Sequence, residues 1–270
     1  MAAVTPSTRP AATALAHGLL HRLAGWVVPM VLLLAWSLAS DRGWIDARTL
    51  PSPLQVLQTL AGMARNGEAW DSLSISLQRV LAGCALGAVA GLLLGMAMGT
   101  WRTVHALVHP AFRALACVPV LGWLPLLMLL LGIGEALKIV LIAKAAFIPV
   151  ALNTSAGIRA VPVSWLEVAD VYGLGAWQRW TRVALPAALP AVWTGLRYGL
   201  TSCWLVLVLV ELLASSEGLG YLMSNGQQLM QLDVLLACVV MIGAMGFGLD
   251  RLLQAVERWL LRWRGPGGLA

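Results

Sequence analysis

Charged residues are scarce in this chain of 270 residues, of which 11% are charged and 60% hydrophobic, with a mean hydropathy of +0.82. Soluble globular proteins carry about 25% charged residues and about 45–50% apolar ones. This shortage excludes an ordinary cytosolic enzyme, a disordered tail and a secreted disulfide scaffold. The sequence therefore predicts an integral membrane protein.

Lysine is scarce, and neither of the two lysines lies in a sequence that could bind the phosphates of ATP. The two lysines, Lys138 and Lys144, follow Leu137 and Ala143, whereas a phosphate-binding loop needs a Gly-Lys-Ser/Thr sequence. Any ATP hydrolysis would therefore belong to another chain. The sequence also lacks a Gly-x-Ser-x-Gly elbow, a His-Glu-x-x-His motif and paired catalytic carboxylates on one helix. We expect no catalytic residues and no enzyme activity.

Metal-binding patterns are also missing. The four cysteines lie far apart inside apolar runs, which favours small buried hydrophobic residues over a disulfide or a metal site. They are Cys84, Cys117, Cys203 and Cys238. Two histidine pairs have helical spacing, His17 with His21 and His105 with His109, but no Glu or Cys completes either set. We predict interfacial histidines, no metal and no cofactor.

Long apolar runs are present instead, and they divide the chain into six predicted membrane helices. A spanning helix needs about 20 mainly apolar residues because the hydrocarbon layer is about 30 Å thick. The predicted spans cover residues 23–40, 80–99, 114–134, 137–158, 191–210 and 234–249. The sequence thus predicts an all-α integral membrane fold, with a transmembrane domain over residues 23–264 between a cytoplasmic tail of residues 1–22 and a C-terminal tail of residues 265–270.

The distribution of basic residues favours a cytoplasmic position for both termini. With six spans and the N-terminus inside, the cytoplasmic segments hold Arg9, Arg22, Arg102, Arg113, Arg159, Arg179, Arg182, Arg197, Arg251, Arg258, Arg262 and Arg264. The outer segments hold Arg42, Arg48, Arg65, Arg79 and Lys138. Cytoplasmic segments of membrane proteins carry the excess of Lys and Arg, so this orientation is preferred. Residues 54–64, in the first outer loop, have the periodicity of a short amphipathic helix.

A stripe of glycines runs along the second predicted span. Every fourth residue is glycine at Gly83, Gly87, Gly91, Gly95 and Gly99. Such a stripe lets another helix backbone approach closely in the membrane. We predict a packing seam, either within the chain or at a dimer interface.

Three polar side chains lie inside the predicted spans, namely Lys144, Asn153 and Glu211. Charged groups at bilayer depth often face a bundle interior or a water-filled path, which makes these residues candidates for a translocation pathway. Each also has a simpler interpretation. Asn153 is suited to an interhelical hydrogen bond, Glu211 to an exposed position at a span end, and Lys144 to a pair with Glu211 or to a neutral amine.

The segment of about residues 160–190, between the fourth and fifth predicted spans, is too regular for a simple linker. Pro162 favours a short helix over residues 163–172, and Gly173 or Gly175 would end it in a left-handed conformation. A second short helix is predicted over residues 176–183, followed by Pro186 and Pro190. Such a helical hairpin could transmit force to a cytosolic partner, although a surface turn has the same spacing.

This segment resembles the loop of importer permeases of the ATP-binding-cassette (ABC) class. That loop has Glu-Ala-Ala, three residues, Gly, nine residues, Ile, one residue and Leu-Pro. The chain matches it at Glu167, Ala169, Gly173, Leu185 and Pro186, and departs from it at Val168 and Val183. The resemblance implies that the loop couples the permease to an ATPase subunit.

The resemblance extends over about residues 50–264. The sequences Leu50-Pro51-Ser52-Pro53, Gly132-Ile133-Gly134-Glu135 and Glu211 with Gly218-Leu219-Gly220-Tyr221-Leu222 are similar to those of permeases for sulfonates, taurine or nitrate. Permeases for pyrimidine or thiamine precursors are a close alternative, and an ion-coupled secondary transporter is a more distant one, because no inverted repeat is evident.

The resemblance also implies a fold and a set of partners. The implied fold is the six-helix type I (MetI-like) importer permease, located in a bacterial inner membrane. The implied partners are an ABC ATPase dimer, a periplasmic or lipid-anchored solute-binding protein, a second permease copy and membrane lipid, with no nucleic acid.

Overall fold

The computed structural model describes residues 27–40, 42–43 and 50–262, and every regular element within these ranges is helical. The two predicted tails, residues 23–26 of the first predicted span and the pair His17 and His21 lie outside the described residues. The helices are α1 (Val27–Ser40), α2 (Pro53–Arg65), α3 (Glu68–Thr100), α4 (Arg102–Ala116), α5 (Leu124–Leu131), α6 (Glu135–Arg159), α7 (Val163–Val171), α8 (Ala176–Arg179), α9 (Leu185–Ala214), α10 (Leu219–Gln228) and α11 (Leu232–Leu260).

The centre of the fold is α6, which packs between α3 and α9. The glycine stripe of α3 lies directly against α6. A Cβ atom at Gly83 or Gly95 would come within 2.6 Å of the side chain of Ile142 or Thr154 respectively, which is too close for any side chain. The stripe therefore makes a seam within the chain, and the alternative of a glycine seam at a dimer interface does not apply.

A neighbouring face of α6 packs against α9 through small residues in the same way. A Cβ atom at Gly195 of α9 would lie 2.8 Å from the Cβ atom of Asn153, and one at Gly157 would lie 2.6 Å from that of Ala191. Close backbone approach on two faces holds α3, α6 and α9 together without large side chains between them. The largest apolar core cluster includes Leu141 of α6 and Leu207 and Val210 of α9, which are buried.

Three helical stretches in the described part of the chain are long and apolar enough to cross a membrane: Glu68–Thr100, Ala176–Ala214 and Leu232–Leu260. A fourth exists if α4 and Val120–Leu131 count as one bent span. The predicted total of six spans thus stays a prediction. The prediction of residues 114–134 as one straight span is wrong, because the two helical pieces meet at 91°.

The bend follows from proline chemistry. Pro119 has no backbone N–H and disfavours helical geometry at Val118, so α4 stops and a 3-10 turn, Val120–Trp123, starts α5 in a new direction.

Helices α2 and α10 cap the end of the bundle where α3 and α6 begin. Pro53 occupies the first turn of α2, and the Ser52 hydroxyl accepts a hydrogen bond from the backbone N–H of Gln55 at 3.2 Å. The amphipathic helix predicted over residues 54–64 is confirmed. The Thr59 hydroxyl donates to Asp233 at 2.8 Å, which ties α2 to α11.

Candidate functional site

The loop between α6 and α9 contains a sharp turn that depends on one glycine. Helix α7 ends at Val171, and Gly173 has φ +71°. The backbone N–H of Gly173 donates to Asp170 O at 2.9 Å and that of Leu174 donates to Ala169 O at 3.0 Å. These two backbone hydrogen bonds form a Schellman motif, in which the left-handed residue is normally glycine. The predicted helix over residues 163–172 is confirmed, and Gly173, not Gly175, makes the turn.

The second helix of the loop differs from its prediction. Helix α8 covers Ala176–Arg179 and continues through a π-helical turn, Trp180–Ala184, directly into α9. The prediction of a separate helix over residues 176–183 is therefore wrong. Pro186 falls in the first turn of α9, where the wider π-helical turn before it accommodates a ring with no N–H to donate. Helix α8 is thus continuous with a helix that is long and apolar enough to cross a membrane.

The five loop residues selected from the sequence occupy different environments. Glu167 is exposed, as are Gly173, Leu185 and Pro186, whereas Ala169 is buried. Glu167 is therefore available to a partner, while Ala169 packs inside the loop.

An exposed apolar surface on the loop was missed by the sequence reasoning. Val171, Tyr172 and Trp177 are 88%, 80% and 79% exposed, and Trp165 and Val168 are exposed beside them. We call these five residues the loop face. Exposed apolar residues grouped in one short segment are typical of an interaction surface. The available signal was the presence of two tryptophans and a tyrosine in a segment assigned to water.

The loop is tied together and seated on the bundle. Arg179 of α8 forms an ion pair with Asp170 of α7. Beneath the loop lies a cleft of about 290 Å³ whose walls include Thr100 at the end of α3, Ile158 near the end of α6, and Leu166 and Trp180 of the loop. A force on the loop would reach the ends of both central helices.

At the opposite end of the bundle, an ionic cluster joins α3, α6 and α9. Arg79 Nη1 lies 2.8 Å from Glu211 Oε1, and Arg79 Nη2 lies 2.6 Å from Glu135 Oε1. Lys138 Nζ donates to the same Glu135 oxygen at 2.7 Å. The Ser76 hydroxyl donates to both Glu211 oxygens, at 2.8 and 2.9 Å. Two cations and two carboxylates thus neutralise each other, with Glu211, Arg79 and Lys138 buried and Glu135 at the surface.

This ionic cluster corrects two expectations. Glu211 has no exposed surface, so an exposed position at a span end is wrong. Its partner is Arg79 and not Lys144, so the proposed pair of Lys144 with Glu211 is also wrong. The side chains of Arg79 and Lys138 are buried, and their predicted position in outer segments stays a prediction.

The glycines that follow Glu211 fit around its carboxylate. Gly218 has φ +100°, and a Cβ atom there would overlap the Glu211 side chain. The backbone N–H of Gly220 donates to Glu211 Oε2 at 3.0 Å, and that of Leu219 donates to the Ser76 hydroxyl at 3.0 Å. The spacing of Glu211 to Gly218 and Gly220 therefore has a structural cause, which is the anchoring of α10 to α3 and α9.

Asn153 and Lys144 lie in the middle part of α6 and have different surroundings. Asn153 Nδ2 donates to the carbonyl of Pro149 in its own helix at 2.8 Å, so the predicted interhelical hydrogen bond is wrong. Lys144 Nζ is buried and has no hydrogen-bond acceptor among the described residues. It lies 5.1 Å from the centre of the Trp123 ring.

Two further polar groups belong to helix packing. Arg197 of α9 lies 2.9 Å from Asp250 and 3.5 Å from Glu257 of α11. His105 and His109 stack with ring centres 4.4 Å apart. Within residues 27–40, 42–43 and 50–262, no group of three His, Cys, Asp or Glu side chains could hold a metal ion.

Comparison with known proteins gives consistent results. Residues 87–262 match the profile of a family described as "Binding-protein-dependent transport system inner membrane component". The protein of Escherichia coli (strain K12) named as the aliphatic sulfonates transport permease SsuC is 36% identical over 244 residues, which is 90% of this chain and 93% of SsuC. The taurine transport system permease protein TauC of the same strain is 35% identical over 240 residues, covering 87% of each chain.

One solved structure extends the comparison to the fold. A chain of the inward-facing MetNI methionine ABC transporter aligns with a TM-score of 0.50 and 22% identity, over 67% of this chain and 92% of that chain. At this identity the likeness concerns the fold alone.

Proposed function

The chain belongs to the family of binding-protein-dependent transport system inner membrane components, and we propose that it is the subunit that forms the membrane path of an ATP-driven importer. The observation that carries this proposal is the loop from α7 to α9. It combines a glycine-dependent turn with an exposed apolar face and continues directly into a long membrane helix. A path-forming subunit driven by a separate ATPase needs those three features in one segment.

We propose that the loop face docks in the ATPase subunit. Tryptophan and tyrosine are the residues that contribute most at protein interfaces, because they bury a large area at a small cost in entropy. Glu167 adds an exposed negative charge beside this face. Gly173 sets the angle between α7 and α8, and Leu185 and Pro186 begin the helix that receives the motion.

The sidedness and assembly follow from the same arrangement. The loop lies at the cytoplasmic side, so the ionic cluster and α10 lie at the outer side, where a solute-binding protein would deliver its cargo. Helices α1, α3, α4 with α5, α6, α9 and α11 would then be the six spans of the transmembrane domain, with both termini inside a bacterial inner membrane. Exposed apolar side chains on α3, including Leu81, Leu86, Val89 and Leu93, provide surface for lipid or for a second copy in a homodimer.

The transported substrate is proposed to be a small anion. SsuC and TauC are named for aliphatic sulfonates and taurine, and both align over most of this chain. A sulfonate group is a compact anion, and it needs compensation by positive charge or donors inside a membrane path.

Two loop glycines offer a matched test of this function. Gly173 has φ +71°, whereas Gly175 has φ −61°, and neither position has an atom within 4 Å of an added Cβ. Left-handed geometry costs alanine about 1–2 kcal/mol, so only Gly173→Ala should distort the turn. We expect Gly173→Ala to lower ATPase co-purification and substrate-stimulated ATP hydrolysis several-fold.

The control variants define the contrary outcome. Gly175→Ala should behave as the wild type, and Gly173→Asn should keep more coupling than Gly173→Ala because asparagine adopts left-handed geometry more readily. Equal coupling in Gly173→Ala and Gly175→Ala, at equal membrane levels, would contradict the assignment of the loop.

A further inference from the structure

Two buried donors, one at the break between α4 and α5 and one on α6, have no acceptor in the described part of the chain. They are Lys144 Nζ and Trp123 Nε1, and the ammonium lies 5.1 Å from the centre of the tryptophan ring. A buried donor left without an acceptor is costly, and a buried cation is more so. The cation–π contact compensates only part of that cost.

The carboxylates at the end of the bundle where α6 begins do not supply the missing charge. Glu135 already binds Arg79 and Lys138, and Glu211 already binds Arg79 and Ser76. Glu135 also precedes Lys144 by nine residues on α6, which is about 13 Å along the helix axis. A hydrogen-bond acceptor from outside the chain could therefore pair with Lys144 and Trp123.

An open cleft of about 410 Å³ is lined by chain neighbours of the two donors, although neither Lys144 nor Trp123 lines it in this structure. Its walls include Leu121, two residues before Trp123, and Ala145 and Ile148 of α6. Ile148 is one helical turn after Lys144 and hence on the same face of α6. Ser202 of α9 also lines the cleft and contributes a hydroxyl group. A lysine side chain is long and flexible enough to move its ammonium from the tryptophan ring into this space.

We infer that Lys144, Trp123 and the adjoining cleft form an anion-binding site on the membrane path, with Trp123 covering the ammonium when no anion is bound. A sulfonate has three acceptor oxygens and one negative charge, which suits an ammonium, an indole N–H and a hydroxyl. This inference deepens the proposed function and rests on it. It assigns the charge preference of the path to the permease in addition to any selection by a solute-binding protein.

Thiol labelling in the reconstituted importer tests the charge directly. Ser202→Cys places a thiol in the cleft, and Thr201→Cys places one in a separate cleft beside Arg197 and Asp250. Both are made with the exposed Cys117 replaced by alanine, and labelling of the other native cysteines is subtracted. The probes are the sulfonatoethyl and the trimethylammonioethyl methanethiosulfonates, which are similar in size and opposite in charge.

The expected result is specific to one position. Lys144→Met should lower the ratio of anionic to cationic labelling rates at Ser202→Cys by about fivefold or more, since one nearby charge acts with opposite sign on the two reagents. Lys144→Arg should keep most of the ratio, and Thr201→Cys should show no change. Uptake of a radiolabelled sulfonate should fall in parallel in Lys144→Met.

Several outcomes would overturn the inference. These are an unchanged ratio at Ser202→Cys, no labelling of that thiol by either reagent, or loss of folded protein in both Lys144→Met and Lys144→Gln. ATPase stimulation measured in the same vesicles separates this inference from the proposed function. An unchanged ratio with normal stimulation rejects only the anion site, whereas absent stimulation in the wild type rejects the permease role.

Discussion

Alanine at Gly87 should destabilise the protein, because this glycine marks the closest approach of α3 to α6. A Cβ atom there would overlap the carbonyl oxygen of Ala143 and lie 2.8 Å from its carbonyl carbon and 2.9 Å from the Cβ atom of Ala146. Carbon atoms in contact normally stay about 3.5–4.0 Å apart. Since a backbone carbonyl cannot rotate away, the two helices must separate by about 1 Å.

The size of the effect follows from two opposing contributions. Overpacking of a tight contact costs about 1–3 kcal/mol, and replacing glycine by alanine in a helix returns about 0.8–1.0 kcal/mol. Because the overlap at Gly87 is with backbone atoms, the upper part of the overpacking range applies, about 2–3 kcal/mol, and the net loss is about 1–2 kcal/mol. For a domain of this size, each kcal/mol lowers the midpoint of thermal unfolding by about 2–4 °C. We expect Gly87→Ala to lower that midpoint by about 3–6 °C.

Gly243 of α11 is the matched control, because an added Cβ there meets nothing within 4 Å. Gly243→Ala should leave the midpoint unchanged or raise it by about 2 °C. Thermal unfolding in detergent, followed by the fluorescence of the 13 tryptophans, measures both variants. A midpoint for Gly87→Ala equal to or above that of Gly243→Ala would refute the packing of the glycine seam.

Two more predictions concern the ionic cluster. Arg79→Met leaves Glu211 buried without its cation and should lower the free energy of unfolding by about 3–5 kcal/mol. The double variant Arg79→Met with Glu211→Met should recover part of that loss. If the losses of the two single variants simply add in the double variant, as judged from the unfolding midpoints, the pair is contradicted. Gly218→Ala should lower the unfolding midpoint far more than Gly134→Ala, because only the first Cβ overlaps the Glu211 carboxylate and only Gly218 has a positive φ; similar midpoints would count against that contact.

Local features of the fold could be predicted from the sequence because they depend on nearby residues. Pro162 precedes α7 as expected, and a glycine follows α7 in left-handed geometry. The residue types at these positions restrict the backbone on their own, so no distant contact is needed to predict them.

Features that depend on distant residues could not be predicted in the same way. The pairing of Arg79 with Glu211 joins positions 132 residues apart, and no periodicity in either helix indicates the partner. The signal that does exist is thermodynamic. An arginine at the edge of an apolar run and a glutamate inside another each need compensation, so each implies an unknown partner.

Composition also concealed the bend between α4 and α5. Residues 114–134 are uncharged throughout, and hydropathy alone therefore favours one straight span. Two prolines bear on the geometry instead: Pro119 lies between α4 and the 3-10 turn, and Pro125 lies in the first turn of α5. The predicted pair of Lys144 with Glu211 failed for a similar reason. Hydropathy indicates the depth of a residue in the membrane but not the side of the helix bundle on which it lies.

ATP-driven uptake by proteoliposomes tests the central claim that this chain is the membrane path of an importer powered by another subunit. The assay follows accumulation of radiolabelled taurine or ethanesulfonate in vesicles that contain the chain, its ATPase subunit and its solute-binding protein. The account predicts uptake only when all three proteins and ATP are present, and no ATP hydrolysis by the purified chain alone. Hydrolysis by the chain alone, or uptake driven by an ion gradient without the ATPase subunit, would contradict it.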